Sequence, residues 1–168
     1  MEEKIEISRA LSQLTKPEHA VLLISGSSLN NANIMVAGWV MRTSHEPSLI
    51  AVSVGKTRYT HGLMEENNQF VLAYPVKGME EIIEFCGSRS GRDVNKFEKL
   101  GIKTVPARKI DLPIIENARV NFECRIIDRI ETGDHTVFVG EVLAAGGNPG
   151  KSPLINVGDY VYKEFNNE

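Results

Sequence analysis

Between Arg119 and Ile126 the chain alternates, with Val120, Phe122, Cys124 and Ile126 interleaved with Arg119, Asn121, Glu123 and Arg125. A period of two argues for a half-buried strand. Glu131-Thr132-Gly133-Asp134 then supplies turn residues, and Thr136–Ala145 returns as an extended apolar run, so the two segments predict a hairpin. Val21–Ser25, Ile34–Met41, Leu49–Val54 and Phe70–Tyr74 are shorter apolar runs. The first stops at Gly26, the second and third are parted by Ser44-His45-Glu46-Pro47, and the last stops at Pro75, which is turn and breaker chemistry. Each predicts a strand.

Elsewhere the period changes to that of a helix. Met79, Ile82, Ile83 and Cys86 fall at i, i+3, i+4 and i+7. Thr57–Glu66 predicts a helix capped by Thr57 and ended near Asn67-Asn68. A third helix is expected to start at an Asp93 cap, with Val94, Phe97 and Leu100 inward, after the polar loop Gly87–Arg92. Residues 1–16 read as a short helical lead-in with Leu11 and Leu14 inward. Asn148–Gly158 is Gly/Pro-rich, and Asp159–Phe165 is placed as a last short docking strand. Six main strands with inserted helices and no βαβ rhythm argue for a β-dominated antiparallel barrel over a doubly wound sheet.

Composition narrows the function classes. With 168 residues, 42% hydrophobic and 24% charged, the chain suits one domain spanning 1–168, with 1–16 as lead-in and 146–168 as C-terminal tail. Nineteen Lys and Arg against 22 Asp and Glu give a net charge of −3, and there is no basic run, so a nucleic-acid partner is not expected. Cys86 and Cys124 have no metal spacing and form no CxxC, so no metal is expected. Reduced thiols are the simpler reading, with a disulfide left open. The segment MEEKIEISRALSQ has no apolar signal core, and Ile34–Met41 is too short to cross a bilayer. A cytoplasmic protein without a membrane partner is expected.

Candidate chemistry gathers at Ser53–Thr60. Lys56 and Arg58 are charge-assisted donors, Ser53, Thr57 and Thr60 carry hydroxyls, and a helix start offers free amides: the means of gripping a phosphate. No GxxxxGK[ST] is present, and on spacing alone a solvated capping turn is slightly favoured. In Val36-Ala37-Gly38-Trp39, small residues would let a flat ligand approach the backbone, although a packed strand with Trp39 in the core is the commoner case. In CGSRSGRDVNK, Ser88, Arg89, Ser90, Arg92 and Lys96 are suited to a second anionic group or to sugar hydroxyls; a polar inter-helix loop is the plainer alternative. Cys86 reads as a packed thiol more readily than as a reactive one. His135 follows the hairpin turn and reads equally well as a ligand donor or a surface histidine. No HExxH, GxSxG or GxGxxG occurs.

The order NIMVAGW, SVGKTRYTHGLMEENNQFVLAYP, EFCGSRSGRDVNKF, GDHTVFVGEV resembles the flavin reductase-like FMN-binding split-barrel family, nearest its flavoredoxin and archaeal ferric-reductase-like branch. The resemblance covers about Ala20 to Ala145. It implies a six-stranded antiparallel split barrel of Greek-key character, a homodimer, and non-covalent FMN near the dimer interface. By position it implies that Val36, Ala37, Gly38 and Trp39 line the isoalloxazine. Ser53, Lys56, Arg58, Tyr59 and Thr60 would surround the phosphate and ribityl chain. Ser88, Ser90, Gly91 and Lys96 would form a wall or cap, with His135 reaching in from the hairpin of either subunit. Gly38 stands where a small hydroxyl residue is expected. The implied activity is electron transfer from NAD(P)H or a protein donor, through FMN, to a partner protein or small acceptor. No side chain acts as a catalytic base, and NAD(P)H would bind transiently. The alternatives are an FMN electron carrier or storage protein without nucleotide oxidation, and a pyridoxamine-phosphate-oxidase-like or haem-binding barrel.

Overall fold

The computed structural model describes residues 4–165. The outermost ends of the lead-in and of the tail, 1–3 and 166–168, lie outside the described residues. In chain order the elements begin with α1 (Ile7–Arg9), which runs into a π-turn at Ala10–Leu14. They continue with β1 (Glu18–His19), β2 (Val21–Ser28), β3 (Asn31–Ala37), β4 (Val40–Ser44) and β5 (Leu49–Gly55). Next come α2 (Tyr59–Glu66), β6 (Gln69–Tyr74), α3 (Glu80–Ser88) and α4 (Lys96–Leu100). The last are β7 (Thr104–Pro106), β8 (Pro113–Ile115), β9 (Val120–Thr132), β10 (His135–Gly146), β11 (Leu154–Asn156) and β12 (Tyr162–Glu164).

The main sheet has seven antiparallel strands in the order β3-β2-β6-β9-β10-β5-β4. The sequence pattern predicts six. The run Ile34–Met41, expected as one strand, is cut at Gly38-Trp39, and its halves lie on opposite edges of the sheet. Three peptide steps from Ala37 to Val40 reach about 11 Å at most. The two edges are therefore held close, and the sheet must roll. Trp39 sits at the crossing and is 61% exposed, so it is not a core residue.

Rolling explains why Val21-Leu22-Leu23-Ile24 and Phe70-Val71-Leu72-Ala73 read as continuous apolar runs without alternation. Both faces of β2 and β6 are buried. Inside the roll Val21, Leu23, Val52, Val54, Phe70, Leu72 and Phe138 pack together with Met64 of α2. Outside it Leu22, Ile24, Ile34 and Val71 pack under Met79, Ile83 and Cys86 of the α3 segment and under Leu112 and Ile115. Gly140 is fixed by this packing, because a Cβ there would stand 2.4 Å from Phe70 Cζ.

Local expectations shift in four places. Leu11 and Leu14 are 69% and 54% exposed, not inward. Helix α2 starts two residues late, with Arg58 at its N-cap, and α4 is capped by Asn95, whose side chain accepts from the Glu98 amide. Asp93 is used instead in a turn, its amide donating to Ser90 O. Asn121 and Glu123 of the alternating strand β9 are buried, each satisfied by backbone. Asn121 exchanges two hydrogen bonds with Ile115, and Glu123 accepts the amides of Arg108 and Lys109 from the loop between β7 and β8. The tail forms β11 and β12, which close a small sheet on β1. No helix among the described residues is long and apolar enough to cross a membrane.

Candidate functional site

Three segments distant in sequence meet at one cleft of about 280 Å³: the middle of β3, the start of α2, and the loop from the end of α3 to Lys96. Of the residues singled out from sequence, Val36, Arg58, Tyr59, Thr60, Ser88, Ser90, Gly91 and Lys96 line it. Thr57, Arg89 and Arg92, also named from the sequence, line it too, together with Asn33 and Met35, which were not.

Asn33 organises the floor. It is buried in β3, and its Nδ2 donates to Thr60 Oγ1 at 2.8 Å, leaving the Thr60 hydroxyl proton free to donate elsewhere. Its Oδ1 lies over Gly91, where a Cβ would come within 2.0 Å of it and 2.9 Å of Tyr59 Cδ1. Glycine at 91 is therefore what lets the loop lie down on β3 and α2. Asn33 was not singled out from the sequence; it is the second of two asparagines that open the strand, and its neighbour Asn31 is exposed.

Lys96 is buried at the first position of α4 and donates to Ile34 O at 2.8 Å and to Cys86 O at 2.9 Å. An ammonium has three N–H groups, so one remains beyond these two carbonyls. Burial lowers its pKa below the ordinary lysine value, Cys86 opposes that shift, and the Arg58 charge adds a smaller lowering. Cys86 in turn is pushed up to about 11 by burial, with Lys96 opposing, so at neutral pH it is a protonated, packed thiol.

The rim is cationic. Arg92 Nη1 donates to Thr57 O at 3.4 Å, and the guanidinium lies over the Tyr59 ring, 5.3 Å from its centroid. Arg58 and Arg89 form no ion pair among the described residues, and no Asp or Glu lines the cleft. Four cations with the hydroxyls of Thr57, Thr60, Ser88 and Ser90 make a donor set that fits a phosphate dianion. No carboxylate or imidazole lines this cleft, and no cluster of metal-ligating side chains occurs among the described residues.

Ala37, Gly38, Trp39, Ser53, Lys56 and His135 lie outside this lining. Trp39 and His135 stack on each other with centroids 4.7 Å apart, tilted by 36°. Asp134 Oδ1 accepts from His135 Nδ1 at 2.7 Å, which holds the Asp134 carboxyl below its usual range. Gly55 joins this aromatic shelf to the cleft: a Cβ there would lie 3.5 Å from His135 Nε2 and 3.6 Å from Arg58 Cγ. The amides of Gly38 and Trp39, at the break between strands, make no backbone hydrogen bond among the described residues. Gly38 itself faces the Glu18 side chain, 3.1 Å from where its Cβ would be. Ser53 donates its amide to Trp39 O at 3.0 Å, and Ala37 is buried. Lys56 is turned away to Glu131, 2.6 Å distant, and that contact lowers the Glu131 pKa.

Residues 16–163 match the model of the flavin reductase like domain. Over 127 residues, 76% of this chain and 71% of the other, the chain is 40% identical to an uncharacterized protein of Archaeoglobus fulgidus. It is 26% identical over 131 residues to the ferric-chelate reductase (NAD(P)H) of the same organism, covering 77% of this chain and 76% of that one. Among solved structures, the flavoredoxin of Methanosarcina acetivorans superposes with a TM-score of 0.84 at 28% identity, covering 99% of this chain and 94% of that one.

Proposed function

The chain belongs to the flavin reductase-like family, and from that premise we propose that it is an FMN-binding oxidoreductase passing electrons from NAD(P)H or a protein donor to an acceptor. The observation that carries this reading is the cleft of four cations, unpaired with any carboxylate among the described residues, opening beside an aromatic shelf. The flavin, when bound, supplies the redox chemistry. The chain's residues hold and bias it. Arg58, Arg92 and the third N–H of Lys96 neutralise the phosphate, and Thr60, Ser88 and Ser90 donate to phosphate or ribityl oxygens. Trp39 and His135 offer an apolar wall for the ring system, and the amides of Gly38 and Trp39 offer donors to its polar edge.

The same reading includes a split barrel with a Greek-key connection, a homodimer and a cytoplasmic location. For the dimer, support comes from the exposed apolar side chains Trp39, Met41, Ile127 and Ile130. The ferric-chelate reductase relative motivates a nucleotide donor and a small oxidised acceptor. The test is to load the purified protein with FMN and mix it with NADH or NADPH in stopped flow. Bleaching of the flavin band by either nucleotide is expected. A protein that retains FMN but is reduced by neither is an electron carrier, and one that retains no FMN is outside this reading altogether.

A further inference from the structure

A second groove, of about 410 Å³, shares no lining residue with the cleft. Its floor is aliphatic. Val76, Met79 and Ile115 are buried there, and Ile82, Leu100 and Ile102 pack against the same core but stay partly exposed. Lys77, Lys103 and Lys151 also line it, and all three are exposed. Lys77 has Glu164 at 3.8 Å, whereas the Lys103 and Lys151 ammoniums have no ion-pair partner among the described residues. No Asp or Glu lines the groove, and the adjoining Glu80 carboxylate accepts the Gly78 amide at 2.8 Å. Nor is there an aromatic ring, an Arg, a His or a hydroxyl in the lining, so a base, a sugar or a forked phosphoryl contact finds little to recognise it. What the groove matches is an aliphatic body with one anionic head.

We propose that this groove binds a small aliphatic carboxylate, its chain on Met79, Ile82 and Ile102 and its head met by Lys103 and Lys151, and that its occupancy changes flavin affinity at the cleft. The link is the helix pair. Helix α3 starts at the groove with Met79 and Ile82 and ends at the cleft with Cys86 and Ser88. Helix α4 starts at the cleft with Lys96 and ends at the groove with Leu100. A chain seated between Ile82 and Leu100 bears on both helices, and the buried Lys96 ammonium is held by Cys86 O of the one and Ile34 O of β3. A shift of either helix therefore moves a donor of the cleft. The coupling, though not the groove site, rests on the flavin reading above.

The site is tested with octanoate and with 1-octanol, its uncharged counterpart, added to protein loaded with FMN so that the cationic cleft is already filled. Binding is followed by NMR through the methyl groups of Met79, Ile82 and Ile102. Octanoate is expected to bind about fivefold more tightly than octanol, an advantage that shrinks as salt is raised. In Lys103→Gln/Lys151→Gln, where both replaced side chains are exposed, the advantage is expected to fall to about parity while octanol still binds. Equal affinity for the two ligands, an advantage that survives the double variant, or methyl shifts only outside the groove overturns the carboxylate site. For the coupling, saturating octanoate is expected to change the FMN dissociation constant about threefold or more, and FMN to change octanoate affinity by the same factor. An FMN constant that does not move, or moves equally in the double variant, overturns the coupling and leaves the site. Octanoate bound at the groove of a protein that retains no FMN overturns the coupling together with the flavin reading.

Discussion

Asn33 and Thr60 are hydrogen-bonded at 2.8 Å across 27 residues of sequence, and this bond fixes where α2 begins relative to the edge strand β3. The same amide closes over Gly91, so one side chain sets the relative positions of all three walls of the cleft.

Asn33→Ala is therefore expected to act on both stability and binding. Losing a buried side-chain hydrogen bond costs about 1 kcal/mol, more where a partner is left unsatisfied. Urea denaturation is expected to show a lower midpoint with an unchanged slope. FMN affinity, followed by flavin fluorescence, is expected to fall because the loop carrying Ser90 and Arg92 loses its anchor.

Gly91→Ala is expected to be worse than its size suggests. The new methyl would meet Asn33 Oδ1 at 2.0 Å and the Tyr59 ring at 2.9 Å, so loop or strand must shift. Overpacking of this kind costs about 1–3 kcal/mol. Combining it with Asn33→Ala removes the nearer of the two obstacles and leaves the Tyr59 ring, so the double variant is expected to be more stable than the sum of the two singles. Strict additivity in denaturation midpoints would show that the two residues do not share this contact.

Flavin affinity is expected to fall on the alkaline side. An anion favours protonated Lys96, so affinity is held below the Lys96 pKa and lost as pH rises through it, at a pH below the ordinary lysine value of 10.5. In the apo protein the sign is opposite. The lowered pKa means that the unfolded chain binds more protons, so the cost of the buried ammonium is fully present below the folded pKa and relieved as pH rises toward 10.5. Lys96→Met is expected to lower flavin affinity at neutral pH and to flatten the alkaline limb. Titrations of FMN binding across pH for both proteins check this.

Thiol chemistry at Cys86 is expected to be silent in the folded protein. Its thiol is buried with a pKa pushed up to about 11, and Cys124 is pushed up to about 12 by burial and by Glu123. Iodoacetamide at neutral pH is expected to leave both unmodified in buffer and to label both in denaturant, as read by intact mass. Labelling of Cys86 at the free-thiol rate in buffer would mean that the α3 end opens.

Much of this architecture is legible in the sequence, and what escapes it has physical causes. Strands fall on Val21–Ser25, Leu49–Val54, Phe70–Tyr74, Arg119–Ile126 and Thr136–Ala145 as predicted, the run Ile34–Met41 is divided between two strands, and Met79, Ile83 and Cys86 do share a buried face. The crossing at Gly38-Trp39 is invisible because a two-residue step between two extended segments looks like one extended segment. Asn121 and Glu123 look solvent-facing because the loop segments that satisfy them are not adjacent in sequence. For the cleft, the residue types at Arg58–Thr60 and Ser88–Lys96 are readable as anion donors. Their convergence is not, since Lys96 finds Ile34 O 62 residues away. Trp39 and His135 are readable as a pair of candidates, whereas their stacking beyond the cleft, on the far side of Gly55, requires the three-dimensional structure.

The step at Gly38-Trp39 also governs when the molecule can exist during its own synthesis. β2 with β3 and β4 with β5 are local hairpins laid down by residue 55, yet they form the two outer ends of the main sheet. The strands that join those ends, β6, β9 and β10, come later, and β10 is the piece that pairs with β5. A ribosome must therefore have delivered the chain through about Gly146 before the seven-stranded sheet can be completed. Until then the apolar inner faces of both early hairpins have Met64 of α2 and Phe70 and Leu72 of β6 against them but lack Phe138 of β10 and Cys124 and Ile126 of β9, and that interval is when chaperone binding or aggregation would act on this protein.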